Sequence, residues 1–203
     1  MSVIESSKGR FGKVTSHGRK PMPAEPGMWF FILGDMSIFA MFFGAYLWAL
    51  GENRQAFINE ASSLVVALGF ANTLVLLSSS YAVARAVQMH RAGNWAATRQ
   101  WLSWALAAAT AFAVIKVFEY GMELVDGKGL TSSPFFMYYF VLTGLHLLHV
   151  AFGSLLLVVW RRSLNDRSAA HSANRVESVA GYWHMVDLLW LLIFSFVYIG
   201  SSS

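Results

Sequence analysis

Five long apolar runs decide what this chain can fold into. They are Met28 to Leu50, interrupted by one charge at Asp35; Ala61 to Ala84, with none; Trp101 to Phe118, with Lys116; Pro134 to Trp160, with none; and Ser178 to Gly200, with Asp187. At about 1.5 Å per residue even the shortest approaches the roughly 30 Å thickness of the bilayer's hydrocarbon core, and Thr98 to Arg99 and Glu119 to Leu124 extend it as interfacial turns. None alternates apolar with polar residues, so strands are not expected. Of 203 residues, 56% are hydrophobic and 13% charged, with a mean hydropathy of +0.50. Soluble domains carry roughly 25% charged residues, so a water-soluble globule is excluded. The expected fold class is all-α, an integral membrane bundle of five transmembrane helices over about 28–50, 61–84, 99–124, 134–160 and 178–200. Together they form one membrane domain over 26–203, preceded by a basic tail over 1–25.

The charges lie between the runs and predict an orientation. Lys8, Arg10, Lys13, Arg19 and Lys20 in the tail, Arg85, Arg91 and Arg99 around the second loop, and Arg161, Arg162, Arg167 and Arg175 around the fourth put twelve basic residues on one side. The first and third loops set Glu52, Glu60, Glu123 and Asp126 against only Arg54 and Lys128. The positive-inside rule then predicts the N-terminus inside and the C-terminus outside. Topology and anionic headgroups account for the basic tail without nucleic acid. The first run is too long for the core of a secretory signal and is expected to stay in the mature protein. Pro26 and Gly27 mark its entry, with Trp29, Tyr46 and Trp48 as interfacial anchors. No internal repeat is visible.

The informative residues are the polar ones at membrane depth, where an unpaired charge costs at least roughly 2.5 to 3.5 kcal/mol. They are Asp35, Glu119, His146, His149, His184 and Asp187. The i,i+3 spacing of His146 with His149, and of His184 with Asp187, puts each pair on one helical face. Three readings follow. The histidines and carboxylates could ligate a metal or a b-type haem, although zero cysteines remove thiolate sites and His146 and His184 lie at unmatched depths. The set could form a proton or ion pathway. Or it is a hydrogen-bonded polar set that locks helices together or docks a larger membrane subunit, and this reading leads. Gly34, Ala40, Gly44, Gly144 and Gly153 are expected at close helix approaches, and Phe30, Phe31, Phe39, Phe42 and Phe43 in packing and lipid contact. Asp35, His184 and Asp187 fall at one depth, so His184 is expected to hydrogen-bond a carboxylate and orient the fifth helix against the first. On that basis His184→Leu should be more disruptive than Asp35→Asn.

Four motifs add a resemblance. They are Trp29-Phe30-Phe31-Ile32-Leu33-Gly34-Asp35-Met36 leading to Phe42-Phe43; Lys116-Val117-Phe118-Glu119-Tyr120; Thr143-Gly144-Leu145-His146-Leu147-Leu148-His149-Val150; and Tyr182-Trp183-His184-Met185-Val186-Asp187-Leu188-Leu189-Trp190. Their order and spacing resemble subunit III of the haem-copper respiratory oxidases over almost all of residues 26–200. The resemblance implies a non-redox subunit of a terminal oxidase in the bacterial plasma membrane, with haem and copper in partner subunits and no cofactor in this chain. It implies packing against catalytic subunit I, with subunit II also a partner, phospholipid held in a cleft, and support of proton uptake and turnover stability. Asp35 stands where the family usually has Glu; the family's motif residues otherwise fall on Glu119, His184 and Asp187. Two helices that precede these five in the long form are absent, as in short bacterial forms, so lipid binding is expected to need a neighbouring subunit. Gly34-Asp35 also resembles a branch associated with nitric oxide reductase, which makes an accessory role there the alternative. A free-standing b-type membrane cytochrome is the alternative of another class.

Overall fold

The computed structural model describes residues 26–165 and 173–200. The tail over 1–25, Arg167, Ser203 and the side chains of Trp29 and Phe31 lie outside the described residues. Within them the chain is helical, with no strand: α1 Pro26–Glu52, α2 Arg54–Ala61, α3 Val66–Arg91, α4 Trp95–Val125, α5 Pro134–Ser163 and α6 Ala173–Ile193, the last continuing as a π-helix over Phe194–Ile199. Five of these helices are long and apolar enough to cross a membrane.

Local chemistry sets the helix ends. At the α3–α4 turn Gly93 adopts φ +70°, and Asn94 N–H reaches back to the Met89 carbonyl at 2.9 Å, a left-handed cap that suits glycine. The Asn94 side chain then accepts from Ala97 N–H at 3.1 Å and opens α4. Gly127, φ +76°, closes α4 in the same way, with Lys128 N–H on the Glu123 carbonyl at 2.9 Å. Ser133 caps α5 ahead of Pro134, whose missing N–H is no loss at the first helical position.

The second apolar run does not begin its span at Ala61. Residues before it form the short α2, which tucks Phe57 and Ala61 under the end of the bundle, and the hydroxyls of Ser62 and Ser63 bond back to Asn59 and Glu60 carbonyls. The span proper starts at Val66.

The spans differ in how much of them the chain itself covers. In α6, 61% of the most apolar stretch is buried, against 17% in α1. Helix α6 is therefore the centre of the bundle, flanked by α3 and α5. Helix α1 attaches along a single stripe, Ile32, Phe39, Phe43 and Tyr46, at the spacing of one helical face. Close approach depends on two glycines. A Cβ on Gly69 would lie 2.9 Å from the Tyr198 ring, and one on Gly153 2.9 Å from the Trp183 ring. Gly144 has only the Tyr120 hydroxyl near, at 3.9 Å, and nothing among the described residues approaches Gly34 or Gly44, contrary to the expectation that they mark helix contacts within the chain. Arginines tie one end of the bundle: Arg91 to Glu177 at 2.7 Å, Arg99 to Asn165 at 2.7 Å and Arg161 to the Ser103 hydroxyl at 3.0 Å. The opposite end carries Glu60 with Ser133, and Lys128 with Glu123 and Asp126.

Candidate functional site

The six polar residues do not gather into one site. They divide into two bonded sets on α5, with a histidine between them along the helix and a separate group on α6. In the first set, His149 Nε2 meets Asp35 Oδ1 at 2.8 Å, joining α5 to α1. Its Nδ1 lies 2.6 Å from the Leu145 carbonyl, one turn back on its own helix. A carbonyl only accepts, so Nδ1 carries a proton. The bond to Asp35 then needs one more proton, held either on Nε2 as an imidazolium facing a carboxylate or on Asp35 facing a neutral ring. In both forms the pair is neutral and holds one transferable proton, the economical arrangement in hydrocarbon. Phe39 stacks edge-on against the imidazole at 5.4 Å. Asp35 Oδ2 is buried without a hydrogen-bond partner among the described residues.

The second set is about 15 Å further along α5, since Tyr139 and His149 are ten positions apart. Lys116 and Glu119, three apart on α4, are both fully buried and lie 3.2 Å apart. Lys116 Nζ also donates to the hydroxyls of Tyr139 at 3.1 Å and Tyr198 at 2.7 Å. Tyr139 donates in turn to Glu119 Oε1 at 2.9 Å, and Tyr198 donates to the same oxygen. The three ammonium hydrogens thus have three acceptors, and the carboxylate accepts three bonds. The charges are closed on one another, and four aromatic rings, of Tyr120, Tyr139, Trp190 and Tyr198, surround Nζ at 4.7 to 5.4 Å. Tyr198 reaches this set from the π-helix, a departure from α geometry that often sits at functional positions. Next to it, Tyr120 and Thr143 share a hydroxyl bond of 2.7 Å.

His146 is fully buried, stacked by Phe112 and Trp190, and neither ring nitrogen has a hydrogen-bond partner among the described residues. His184 does not bond Asp35. Its Nδ1 lies 2.7 Å from the Ser80 hydroxyl on α3 and 4.0 Å from Asp187 Oδ2 on its own helix, and its side chain is 43% exposed. The fifth span is therefore oriented against α3, and the histidine that ties α1 into the bundle is His149. Depth along a helix is legible in sequence, whereas the direction in which a residue faces a neighbour follows from which helices pack together. His184 does line a groove of about 300 Å³ between α1 and α6, together with Met28, Met36 and Met185.

Lys116, Tyr139, Tyr198 and Ser80 are the residues that sequence reasoning passed over. Lys116 had a signal: a Lys and a Glu at i,i+3 share a face, so a charge in an apolar run had a partner one turn on. The tyrosines had none, because they come from two other helices. Among the described residues no three His, Cys, Asp or Glu side chains gather as metal ligands. Chemically, the first set can hold or release a proton at the edge of the bundle, and the second locks α4, α5 and the π-segment together.

A profile of the family described as Cytochrome c oxidase subunit III matches residues 7–202. The chain is 31% identical over 175 residues to the cytochrome c oxidase subunit 3 of Alkalihalophilus pseudofirmus, covering 85% of this chain and 84% of that one. It is 30% identical over 182 residues to the heme-copper oxidase subunit I+III of Aeropyrum pernix, covering 85% of this chain and 22% of that longer one. Against the cytochrome bo(3) ubiquinol oxidase subunit 3 of Pseudomonas putida the identity is 27% over 176 residues, covering 85% and 84%.

Proposed function

This chain belongs to the cytochrome c oxidase subunit III family and is a multi-pass membrane subunit III of a haem-copper oxidase, and from that premise we propose that it serves as the non-redox subunit that stabilises catalytic subunit I during turnover and supports its proton uptake. Haem and copper belong to the partner subunits. The chain's own contribution is a surface, and the observation that carries this reading is the condition of α1. Among the described residues most of that helix is uncovered, Gly34 and Gly44 have open space around them, and Asp35 holds one unpartnered oxygen at the bonded edge. Small residues permit close approach of a helix from another subunit, and a buried oxygen that lacks a donor favours a partner that brings one.

The Asp35–His149 pair is the proposed interface and proton-uptake support, because it keeps a proton at the edge of the chain without a net charge. Glu119, with Lys116, His146, His184 and Asp187 hold the frame that presents it. Orientation follows the arginines, with the end bearing Arg91, Arg99 and Arg161 in the cytoplasm and the end bearing Asp126 outside a bacterial plasma membrane. The apolar groove between α1 and α6 supports phospholipid binding next to the same edge.

Stripping this chain from the purified oxidase and adding it back tests the reading. The depleted enzyme should begin turnover normally and inactivate after fewer turnovers, and restoration of the chain, but not of a His149→Leu variant, should restore its working life. Equal lifetimes with and without the chain would overturn it.

A further inference from the structure

On the far side of the bundle from α1's bonded edge, α3 and α4 leave a groove of about 470 Å³ between them. It is lined by small residues, Ser78 and Ala82 on α3 and Ala107, Ala108 and Ala111 on α4, and flanked by the aromatic Tyr81, Trp101 and Trp104. Tyr81 and Trp104 stand out from the surface, 60% and 63% exposed, and Trp101 packs edge-on against Tyr81 at 5.9 Å. At one end of the groove the Arg85 guanidinium lies 5.7 Å over the Trp101 ring. Gln88 accepts one of its hydrogens at 2.7 Å. Arg85 has no carboxylate partner among the described residues, whereas Arg91, one and a half turns on, has Glu177. Arg85 is six residues from the end of α3, about 9 Å into the helix, from where its long side chain reaches the headgroup level of the leaflet at that end.

From this juxtaposition of an uncompensated arginine with the mouth of an alanine-lined groove, we infer that α3 and α4 bind one anionic phospholipid of the leaflet at the arginine-bearing end, its phosphate on Arg85 and an acyl chain along the alanines. Lipid supplies both missing parts at once. The phosphate provides the anion that the described residues lack, and Arg85 can meet it bidentately while Trp101 and Gln88 hold the guanidinium in place. The acyl chain fills a slot about 15 Å long, from Arg85 to Val75, that neither helix closes with its own side chains. In a bilayer there is no hydrophobic gain in moving a chain from bulk lipid to a groove, so selectivity rests on the charge and retention on close packing. A flexible chain threads between the protruding Tyr81 and Trp104, whereas a rigid helix from another subunit would have to displace them. The site is independent of the α1 edge, because both of its walls belong to α3 and α4.

The full chain, delipidated in mild detergent, can be titrated with phosphatidylglycerol or phosphatidylcholine, and the bound lipid counted by native mass spectrometry. One phosphatidylglycerol should be retained about fivefold better than phosphatidylcholine, the worth of one arginine near the surface. Arg85→Gln should erase that preference while leaving chain binding, and Ala108→Phe, which fills the groove, should lower retention of both. A photoreactive phenylalanine analogue at position 104 in the native complex should cross-link to lipid. Equal retention of the two lipids by the parent chain, an unchanged preference in Arg85→Gln, or cross-linking to another subunit would overturn the assignment.

Discussion

The hydrogen of His149 on the Leu145 carbonyl fixes what Asp35 substitutions should do. Asparagine can donate to a neutral Nε2, so Asp35→Asn keeps the bond and the neutrality of the pair and should assemble with a stability within about 0.5 kcal/mol of the parent. His149→Leu strands a carboxylate in apolar surroundings and should cost roughly 2.5 to 3.5 kcal/mol, read as a lower denaturation midpoint in detergent. His184→Leu removes one partly exposed bond to Ser80 and should cost only about 1 kcal/mol, the reverse of what depth alone led one to expect. The Lys116–Glu119 set should behave cooperatively. Glu119→Gln leaves a buried ammonium without its anion and should cost about 3–5 kcal/mol, while Lys116→Met combined with Glu119→Leu should cost clearly less than the sum of the two single changes. Additive midpoints in the double variant would show that the two charges do not depend on each other. Which polar residues fall within the long apolar helices was legible in the sequence. Their pairing was not, since Asp35 had three histidines at plausible depths and only the packing of α1 on α5 selects His149.

At the scale of elements, the five spans were legible because apolar runs of this length have few other fates, whereas α2 and the π-segment were not. Helix α2 is short and mostly polar, and only Phe57 and Ala61 are buried, so its periodicity is lost in the loop composition. The π-turn depends on tertiary contacts, among them the Tyr46 hydroxyl donated to the Phe196 carbonyl at 3.1 Å. Glycine substitutions separate tight helix contacts from open ones. Gly69→Ala drives a methyl into the Tyr198 ring and should cost about 1–3 kcal/mol, whereas Gly44→Ala should be near neutral in the isolated chain and harmful only when the partner subunit is bound. Equal effects of the two on the isolated chain would contradict the helix packing described. In the loop after α4, burial alone would lower the Lys128 pKa, but hydrogen bonds and attraction from Glu123 and then Asp126 outweigh it and hold the pKa above its usual value. A raised lysine pKa stabilises the fold fully below about pH 10.4 and loses that contribution as pH rises through the folded value. Lys128→Ala should therefore lower the denaturation midpoint slightly at pH 8, with the difference vanishing once the pH has risen through the raised pKa of the folded lysine.

For the whole molecule, the charge distribution and the bundle geometry make one statement about sidedness, which the absence of native cysteine makes simple to test. A thiol introduced at Asp126 should react with an impermeant reagent added outside intact cells, and one at Ala92 should react only after the membrane is opened; the reverse pattern would invert the topology. The chain's burial pattern makes a second statement. Its centre is α6, its closed polar set lies under α4, α5 and the π-segment, and among the described residues its least covered span is α1. On the function proposed above, a larger subunit meets α1. An affinity tag on this chain, used to isolate whatever it holds in native membranes, tests this most directly. A haem-copper catalytic subunit should come with it, the Soret band should follow that subunit when the two are separated, and His149→Leu should lower the amount recovered together. Recovery of the tagged chain alone, or with stoichiometric haem of its own, would contradict the account.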